Sequence, residues 1–430
     1  MHLRRRQLLA VPIFLLLSAL AHGEEELEGC APLPEASPRI TQQLANPPEP
    51  GDARAALMLL PKAALAQLGS PSEILADGVE IVSSYWSPVL CASVTRVRGP
   101  ADMAPVQWAP GLPESGTLVP DDTYHTGATA AARGPEAGTA AEDAAAVPDP
   151  YRPLQFALDE LGVDASLPVT RGGGTRIAVL DSTPQLDHPD LGTVEIAARF
   201  VPEEPARHGT LVTGILAARP GNGFGIVGLV PEASVLAIPV CQPGPDRSER
   251  GDVCALFDVL QGLDVAWTRR VHIVNLSLAG PSNPLLQGAT DRLEGLGVTL
   301  VAAAGNDGGE EALYPAAYAS VIGVGATGRG GKAFAQGNRG PGNELSAPGV
   351  DIVSTAPGGG FAFADGTSLA TAHVSGVLAL VASAGGDLAA ARRAVFQAAR
   401  RHPRATRSVA VLVPVCEALT AVGQPCPPSP

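Results

Sequence analysis

Residues 363–380 read FADGTSLATAHVSGVLAL, a polar corner running straight into an apolar stretch. Leu369, Val374, Val377 and Leu378, continued by Val381, predict a buried helix that opens at Ser368. A serine in that place has its own backbone N–H at the positive end of the helix, where negative charge on a reacting oxygen is favoured. Gly366 and Thr367 allow close approach of another backbone, while Asp365 reads as a solvated loop residue. His373 is near in sequence, but five residues of helix turn it about 140° away from Ser368. It is read as a buried structural histidine, so any base for Ser368 must come from elsewhere in the chain.

Upstream of that helix, short β-rich runs alternate with helical patterns. TRIAVLD (175–181), ASVLAIPV (233–240), HIVNLSLAG (272–280) and VTLVAAAGN (298–306) are the strands. HGTLVTGILAAR (208–219), VCALFDVLQGLDVAW (253–267) and LLQGATDRLEGLG (285–297) are the helices. Strands that are apolar throughout, rather than at every other position, predict a doubly wound α/β fold with a mostly parallel sheet and helices on both faces. Functional groups gather at the carboxyl ends of such strands. Asp181 ends the first strand and Asn306 the last, and His208 opens a helix whose apolar face holds Leu211, Val212, Ile215 and Leu216. Gly209 leaves room beside its ring. A serine nucleophile needs a base, an acid to orient that base, and donors for the oxyanion. Ser368, His208, Asp181 and Asn306 supply those four residue types.

The 430 residues exceed what one core usually serves. A 45% hydrophobic and 17% charged composition argues against wholesale disorder. The net charge of −14 would repel nucleic acid and anionic lipid. No CxxC or HExxH pattern supports a sulfur or imidazole metal site, and no internal apolar run is expected to span a bilayer.

The chain begins MHLRRRQLLAVPIFLLLSALAHG, three arginines, a short apolar stretch and then small residues, which reads as a signal peptide over residues 1–23. A secreted protein is expected, periplasmic or extracellular. In that setting the six cysteines are expected to pair. Cys241 with Cys254, Cys416 with Cys426 and Cys30 with Cys91 are the nearest-neighbour pairings, among many connectivities that the sequence leaves open. Residues 24–125 carry a helix-like run, ARAALMLLPKAALAQLG (53–69), and strand-like runs GVEIVSSYW, CASVTRVRG and GTLVPDDTYHT, enough for a small α+β unit. An Ala/Gly/Pro-rich linker follows over 126–147, then the main domain over 148–402 and a tail over 403–430 with one cysteine pair.

AVLDSTPQLDHPDL (178–191), HGTLVTG (208–214), NLSLAG (275–280), AAAGNDG (302–308), APGVDIVSTAPGG (347–359) and GTSLATAHVSG (366–376), in that order, resemble the subtilisin-like serine proteases. The order Asp, His, Ser is the one stated for subtilisin in general accounts of the triad. The resemblance implies a serine endopeptidase working through an acyl-enzyme. In it Asp181 orients the imidazole, His208 moves the proton, Ser368 is the nucleophile and Asn306 donates to the oxyanion. Ser277, Leu278, Ala279 and Gly280 are similar to the family's edge segment that pairs with extended polypeptide substrate. The stretch DHPDL is similar to the family's calcium-ligand segment. It suggests Asp190, with Gln155 and Asn222 as partners, for a structural calcium, against the alternative of ordinary loop capping. No cofactor is expected for catalysis.

The N-terminal unit stands where this family carries a propeptide. The chain's own propeptide is therefore an expected intramolecular inhibitor, removed by self-cleavage within or near the linker, and the chain is expected to act as a monomer. Three positions depart from the family pattern: Thr183 in place of a glycine, Leu211 in place of a histidine, and Ala372 in place of a proline. Thr183 is expected to crowd the turn beyond Asp181. A non-catalytic peptide-binding or scaffold protein of the same fold is the alternative reading, whereas an α/β-hydrolase esterase needs a G-x-S-x-G elbow that GTSLA lacks. The insert CQPGPDRSERGDVC (241–254) is either a disulfide-tied loop near the cleft or a surface decoration, and decoration is the preferred reading.

Overall fold

The computed structural model describes residues 55–130, 148–197, 205–244, 251–340, 345–402 and 410–427, apart from 69, 101 and 413. The signal peptide, Cys30 with its suggested pairing, and most of the linker lie outside the described residues. The chain divides between residues 120 and 121 into two compact units.

In the first unit, β1 (Ala55–Pro61), β2 (Glu80–Ser87), β3 (Ala92–Arg98) and β4 (Thr117–Pro120) form an antiparallel sheet in the order β2-β3-β1-β4. A short helix, α1 (Lys62–Leu68), follows β1 directly. The helix-like reading of residues 53–69 is thus half corrected: its first part is a strand. Ala, Leu and Met favour helix in isolation, but here Ala56, Met58 and Leu60 alternate into the unit's core with Val97 and Trp108. Cross-strand packing overrides propensity. The strand-like run 116–126 also splits, its two halves β4 and β5 (Thr123–Thr126) falling in different units around Asp121 and Asp122.

The second unit is built on a parallel sheet. In chain order it contains β7 (Arg176–Ser182), β8 (Val194–Ile196), β9 (Ser234–Cys241), β11 (Ile273–Leu276), β13 (Thr299–Ala303), β14 (Val321–Gly328), β16 (Leu345–Pro348) and β19 (Ala410–Val411). Their spatial order is β19-β16-β14-β13-β11-β7-β9-β8, with a short β15 (Lys332–Ala333) antiparallel on β14. The continuous apolar runs have the burial they demand: Ile177, Val235, Ile273, Val301 and Ile322 are all enclosed. From β7 the chain steps to β9 on one side and returns to β11 on the other. The crevice where strand order reverses therefore opens beyond Asp181 and Ser182 on β7 and Ser277 after β11, where open α/β sheets place their ligands.

Short helices α2 (Phe156–Glu160) and α3 (Val163–Ser166) precede the sheet. One face of the sheet is covered by α4 (Arg207–Ala217), α7 (Thr367–Gly385) and α8 (Leu388–Arg401), the other by α5 (Leu256–Thr268) and α6 (Pro284–Gly295). A last helix, α9 (Val415–Ala421), packs on α7 and α8 and is tied by a Cys416–Cys426 disulfide. Helix α7 is long and apolar enough to cross a membrane by length and composition alone, but 83% of its apolar window is buried inside the protein. Its hydrophobicity is that of a central core helix packed between α4 and strands β11, β13 and β14.

Two small antiparallel sheets lie in this unit as well. One has the order β10-β5-β12, with β5 (Thr123–Thr126) between β10 (Val253–Ala255) and β12 (Leu278–Ala279). The other joins β17 (Ile352–Ala356), β18 (Gly360–Asp365) and β6 (Thr129–Ala130). Residues 123–130 thus cross the carboxyl end of the main sheet as an extended segment.

Candidate active site

Four separate elements bring Asp181, His208, Asn306 and Ser368 to this crevice. His208 stands in the first turn of α4, and its Nδ1 donates to Asp181 Oδ1 at 2.8 Å and Oδ2 at 3.0 Å. Asp181 Oδ1 also accepts from Ser182 N at 2.7 Å and Ser182 Oγ at 3.2 Å. The close approach of α4 to β7 requires Gly209, because a Cβ there would lie 1.9 Å from Ser182 O. Burial alone would push the His208 imidazole down, but the adjoining Asp181 carboxylate, with a further contribution from Asp252, raises it above the usual histidine value. With Nδ1–H on Asp181, Nε2 presents its lone pair; it is buried and has no hydrogen-bond partner among the described residues.

Ser368 sits at the second position of α7, in the first turn, where backbone N–H groups lack intrahelical acceptors. Its Oγ donates to Ser277 O at 3.2 Å and lies 3.5 Å from Gly127 O. Its own carbonyl accepts from Ser277 Oγ at 3.0 Å, and Ser277 is in turn held by Asn275, which is held by Ser375. Asn306 Oδ1 accepts from Thr367 N at 2.9 Å and Thr367 Oγ1 at 3.0 Å. That grip leaves the Asn306 Nδ2 group to donate to Gly127 O. Gly366 is glycine for a spatial reason: a Cβ there would stand 2.4 Å from the Gly127 carbonyl oxygen. The carbonyl of Gly127 therefore rests between the Asn306 amide and the start of α7, beside the Ser368 hydroxyl.

The segment that brings this carbonyl in is extended. Strand β5 pairs with β12, Leu278 opposite Thr126 and Ala279 opposite His125, and with β10 on its other edge, Val253 opposite His125. Gly280 abuts the Tyr124 ring, whose hydroxyl donates to Pro281 O at 3.0 Å. Of the four suggested edge residues, Leu278, Ala279 and Gly280 meet the extended segment, while Ser277 supports Ser368 from behind. A cavity of about 450 Å³ opens beside Gly127, lined by Leu278, Ala303, Gly305, Asn306 and Leu313 among others.

Thr183 is buried in the turn after Asp181, without a positive φ, and its Oγ1 has no hydrogen-bond partner among the described residues. Its carbonyl accepts from Ala206 N at 2.8 Å, joining the turn to the entry of α4. His373 is buried as expected; its Nδ1 donates to Leu369 O at 2.9 Å, and burial pushes it down to about 4.

The suggested calcium residues are only partly brought together. Gln155 spends both ends of its amide on the backbone of Val227, at 2.8 Å each, and is not available as a ligand. Asp190 and Asn222 do meet, Asn222 Nδ2 donating to Asp190 Oδ1 at 2.9 Å. Asp149, which the sequence reading passed over, joins them: it accepts from the Gly221 and Asn222 N–H groups at 2.7 and 3.1 Å. Burial, with the negative charge of Asp149 adding to it, pushes Asp190 up to about 7 against the bonds from Ile226 and Asn222. The Asn222 amide is spent at both ends like that of Gln155, its Oδ1 accepting from Phe224 N at 2.8 Å, so the donors of the kind a hard cation takes are the two buried carboxylates. Asp252 was missed too. Its one sequence signal was its place just before Cys254, which is bonded to Cys241 and holds the insert's end against the sheet.

A buried histidine–carboxylate pair stands at the carboxyl ends of the parallel strands, and a serine and an amide donor meet one peptide carbonyl there, an arrangement suited to serine-protease chemistry. The model of the family described as Peptidase_S8, the Subtilase family, matches residues 172–406. The chain is similar to subtilisin BL of Lederbergia lenta, 41% identical over 216 residues, covering 49% of this chain and 77% of that one. It is similar to a thermophilic serine proteinase of Bacillus sp. strain AK1, 36% identical over 257 residues, covering 58% of this chain and 62% of that one. Among solved structures it is similar to the prenylagaramide maturation protease PagA, with a TM-score of 0.54 and 27% identity, covering 61% of this chain and 98% of that one. The chain belongs to the subtilase family.

Proposed function

We propose that this serine protease is a secreted endopeptidase that cleaves extended polypeptides through an acyl-enzyme, and that its first substrate is its own chain. One observation carries this reading: the Gly127 carbonyl, gripped by Asn306 and touched by Ser368 Oγ, with the His208–Asp181 pair on the neighbouring helix and strand. In the mechanism, Ser368 Oγ turns from Ser277 O to the free Nε2 of His208 and attacks the carbonyl carbon as its proton passes to the imidazole. Asp181 holds the tautomer and stabilises the imidazolium. The oxyanion is met by Asn306 Nδ2 and the Ser368 N–H at the positive end of α7. His208 then protonates the departing amine, and water, deprotonated by the same nitrogen, releases the acid.

The bond presented in this way is Gly127–Ala128. Residues 121–127 would then be the tail of the leader, bound as an inhibitor. Its anchors are Asp121 on Phe257 N at 3.0 Å, Asp122 on Asn283 Nδ2 at 2.9 Å, and the buried Tyr124. The cavity left beside glycine suits a larger uncharged side chain in other substrates. Labelling with a fluorophosphonate tests the triad: the wild-type protein should label, and Ser368→Ala and His208→Ala should not. N-terminal sequencing of secreted protein should find Ala128 first; a chain still beginning near Glu24 would count against self-cleavage.

Where a structural calcium binds, Asp149 and Asp190 would hold it, and it would relieve the repulsion between the two carboxylates. Millimolar calcium should raise the melting temperature of the Ser368→Ala protein, and Asp190→Ala should abolish that rise. Equal melting with calcium and with chelator would remove the ion from the account.

A further inference from the structure

The insert between Cys241 and Cys254 takes no part in the chemistry above, yet its carboxyl end closes over the segment beside the scissile bond. Strand β10 pairs antiparallel with β5, Val253 opposite His125 and Cys254 opposite Tyr124. Just ahead of β10, Asp252 O accepts from Thr126 N at 3.0 Å, a main-chain bond open to any extended residue other than proline. A second bond reads the side chain: Asp252 N donates to Thr126 Oγ1 at 2.8 Å. Thr126 is fully buried, with Leu278 of β12 opposite it on its other edge. Gly251, at a φ of 76°, lets the insert come so near; a Cβ there would lie 1.7 Å from Thr126 O and 2.9 Å from Thr126 Oγ1.

This grip is anchored to the main sheet. The disulfide joins Cys254 to Cys241 at the end of β9, and both cysteines are buried. Gln242 N donates to Val253 O at 2.8 Å and Val253 N to Gln242 O at 2.7 Å. Cys241 is in register with Ser182, the residue after Asp181 on β7. The Asp252 N–H is therefore held by the framework that carries the triad carboxylate, and a donor fixed in advance costs little to order when a chain binds.

We propose that the Gly251–Asp252 peptide is a specificity-determining subsite, selecting polypeptides with threonine as the second residue before the cleaved bond. In this chain that residue is Thr126, and the subsite rests on the self-cleavage reading, which places the Gly127–Ala128 bond at Ser368. Valine has the shape of threonine without the oxygen. In its place a methyl group would cover the Asp252 N–H and leave that donor without an acceptor. A site built on a substrate hydroxyl rejects the analogue that lacks it far more strongly than an apolar pocket rejects a missing methyl group. Serine keeps the oxygen and loses only the methyl.

The test uses secreted wild-type protein and the decapeptide DDTYHTGATA, a copy of residues 121–130, with counterparts carrying Thr126→Val and Thr126→Ser. Cleavage at the Gly–Ala bond is followed as kcat/KM. Thr126→Val should lower it about 10- to 100-fold, and Thr126→Ser about 4-fold. The same Thr/Val ratio is then measured in Asp252→Pro, which removes the N–H, and in Asp252→Ala, which removes only the carboxylate. The ratio should fall to about one in the first and persist in the second, as a cycle that isolates a single contact requires. A damaged fold slows both peptides and leaves the ratio as it was. Equal rates for the Thr and Val peptides in wild type overturn the subsite and leave the protease reading intact, whatever the variants do. A ratio that survives Asp252→Pro overturns the role of the Asp252 N–H. Protein that labels with fluorophosphonate but cuts none of the three peptides brings down the self-cleavage reading, and the subsite with it.

Discussion

His208 and His373 are both buried in the second unit, on helices that pack against each other, yet their surroundings drive them in opposite directions. His208 lies where α4 meets the carboxyl end of β7, and the Asp181 carboxylate behind it outweighs burial and raises it. His373 lies one turn and a half inside α7, with carbonyls of Leu369 and Pro348 for partners, and burial takes it down to about 4. A histidine becomes a usable base in such an interior when a negative charge replaces the water it has lost. Carbonyl dipoles satisfy its N–H and leave it neutral.

The sharpest way to break the contrast is to make the first environment resemble the second. Asp181→Asn keeps a group of the same shape behind His208 but removes the charge and the acceptor that fixes the tautomer. It should lower kcat by about 10⁴, with the acid limb of kcat/KM moving to lower pH. A loss below tenfold would show that Asp181 is not the orienting acid. A smaller effect is expected from Asn306→Leu, which touches neither histidine: kcat should fall about 10²- to 10³-fold, with KM little changed and the acid limb where it was. A limb that moved with Asn306 would mean that the amide acts on the base rather than on the oxyanion.

The parts of this contrast that could be read in advance are those set by local pattern. Apolar runs without alternation announced the parallel sheet, and strand ends picked out Asp181 and Asn306. The 3.6-residue turn alone placed His373 out of reach of Ser368. What escaped were features decided by contacts distant in sequence. Residues 55–61 have helix-forming letters and lie as a strand because β3 and β4 flank them. Residues 123–126 looked like part of the first unit, and their place is set by edges far along the chain, β10 (Val253 opposite His125) and β12 (Leu278 opposite Thr126). Gln155 carried the right oxygen for a cation but meets the Val227 backbone, whereas Asp149 reaches the loop that holds Asn222. Asp252 was hidden within an insert whose letters suggest a solvated loop; the Cys241–Cys254 bond and the pairing of β10 with β5 bring it to Thr126, next to the Gly127 carbonyl.

The smallest predicted effect concerns stability and follows from the same two rings. His373 is pushed from an ordinary 6.5 to about 4, so between those values the unfolded chain binds a proton that the folded chain does not. Its contribution to stability is therefore complete above 6.5 and drains away as pH falls towards 4, about 3 kcal/mol in all and about 2 kcal/mol by about pH 5. His208 has the opposite sign: raised in the folded protein, it contributes stability that is present below 6.5 and lost as pH rises through its folded value. Urea unfolding of Ser368→Ala protein, used to prevent self-digestion, separates the two. Adding His373→Gln keeps a donor for the Leu369 carbonyl and removes the titrating ring. The doubly substituted protein should lose about 2 kcal/mol less than Ser368→Ala between neutral pH and about pH 5. Parallel pH curves would mean that His373 already takes up its proton in the folded state. The difference between the two histidines would then lie in geometry alone, with no part for the missing charge.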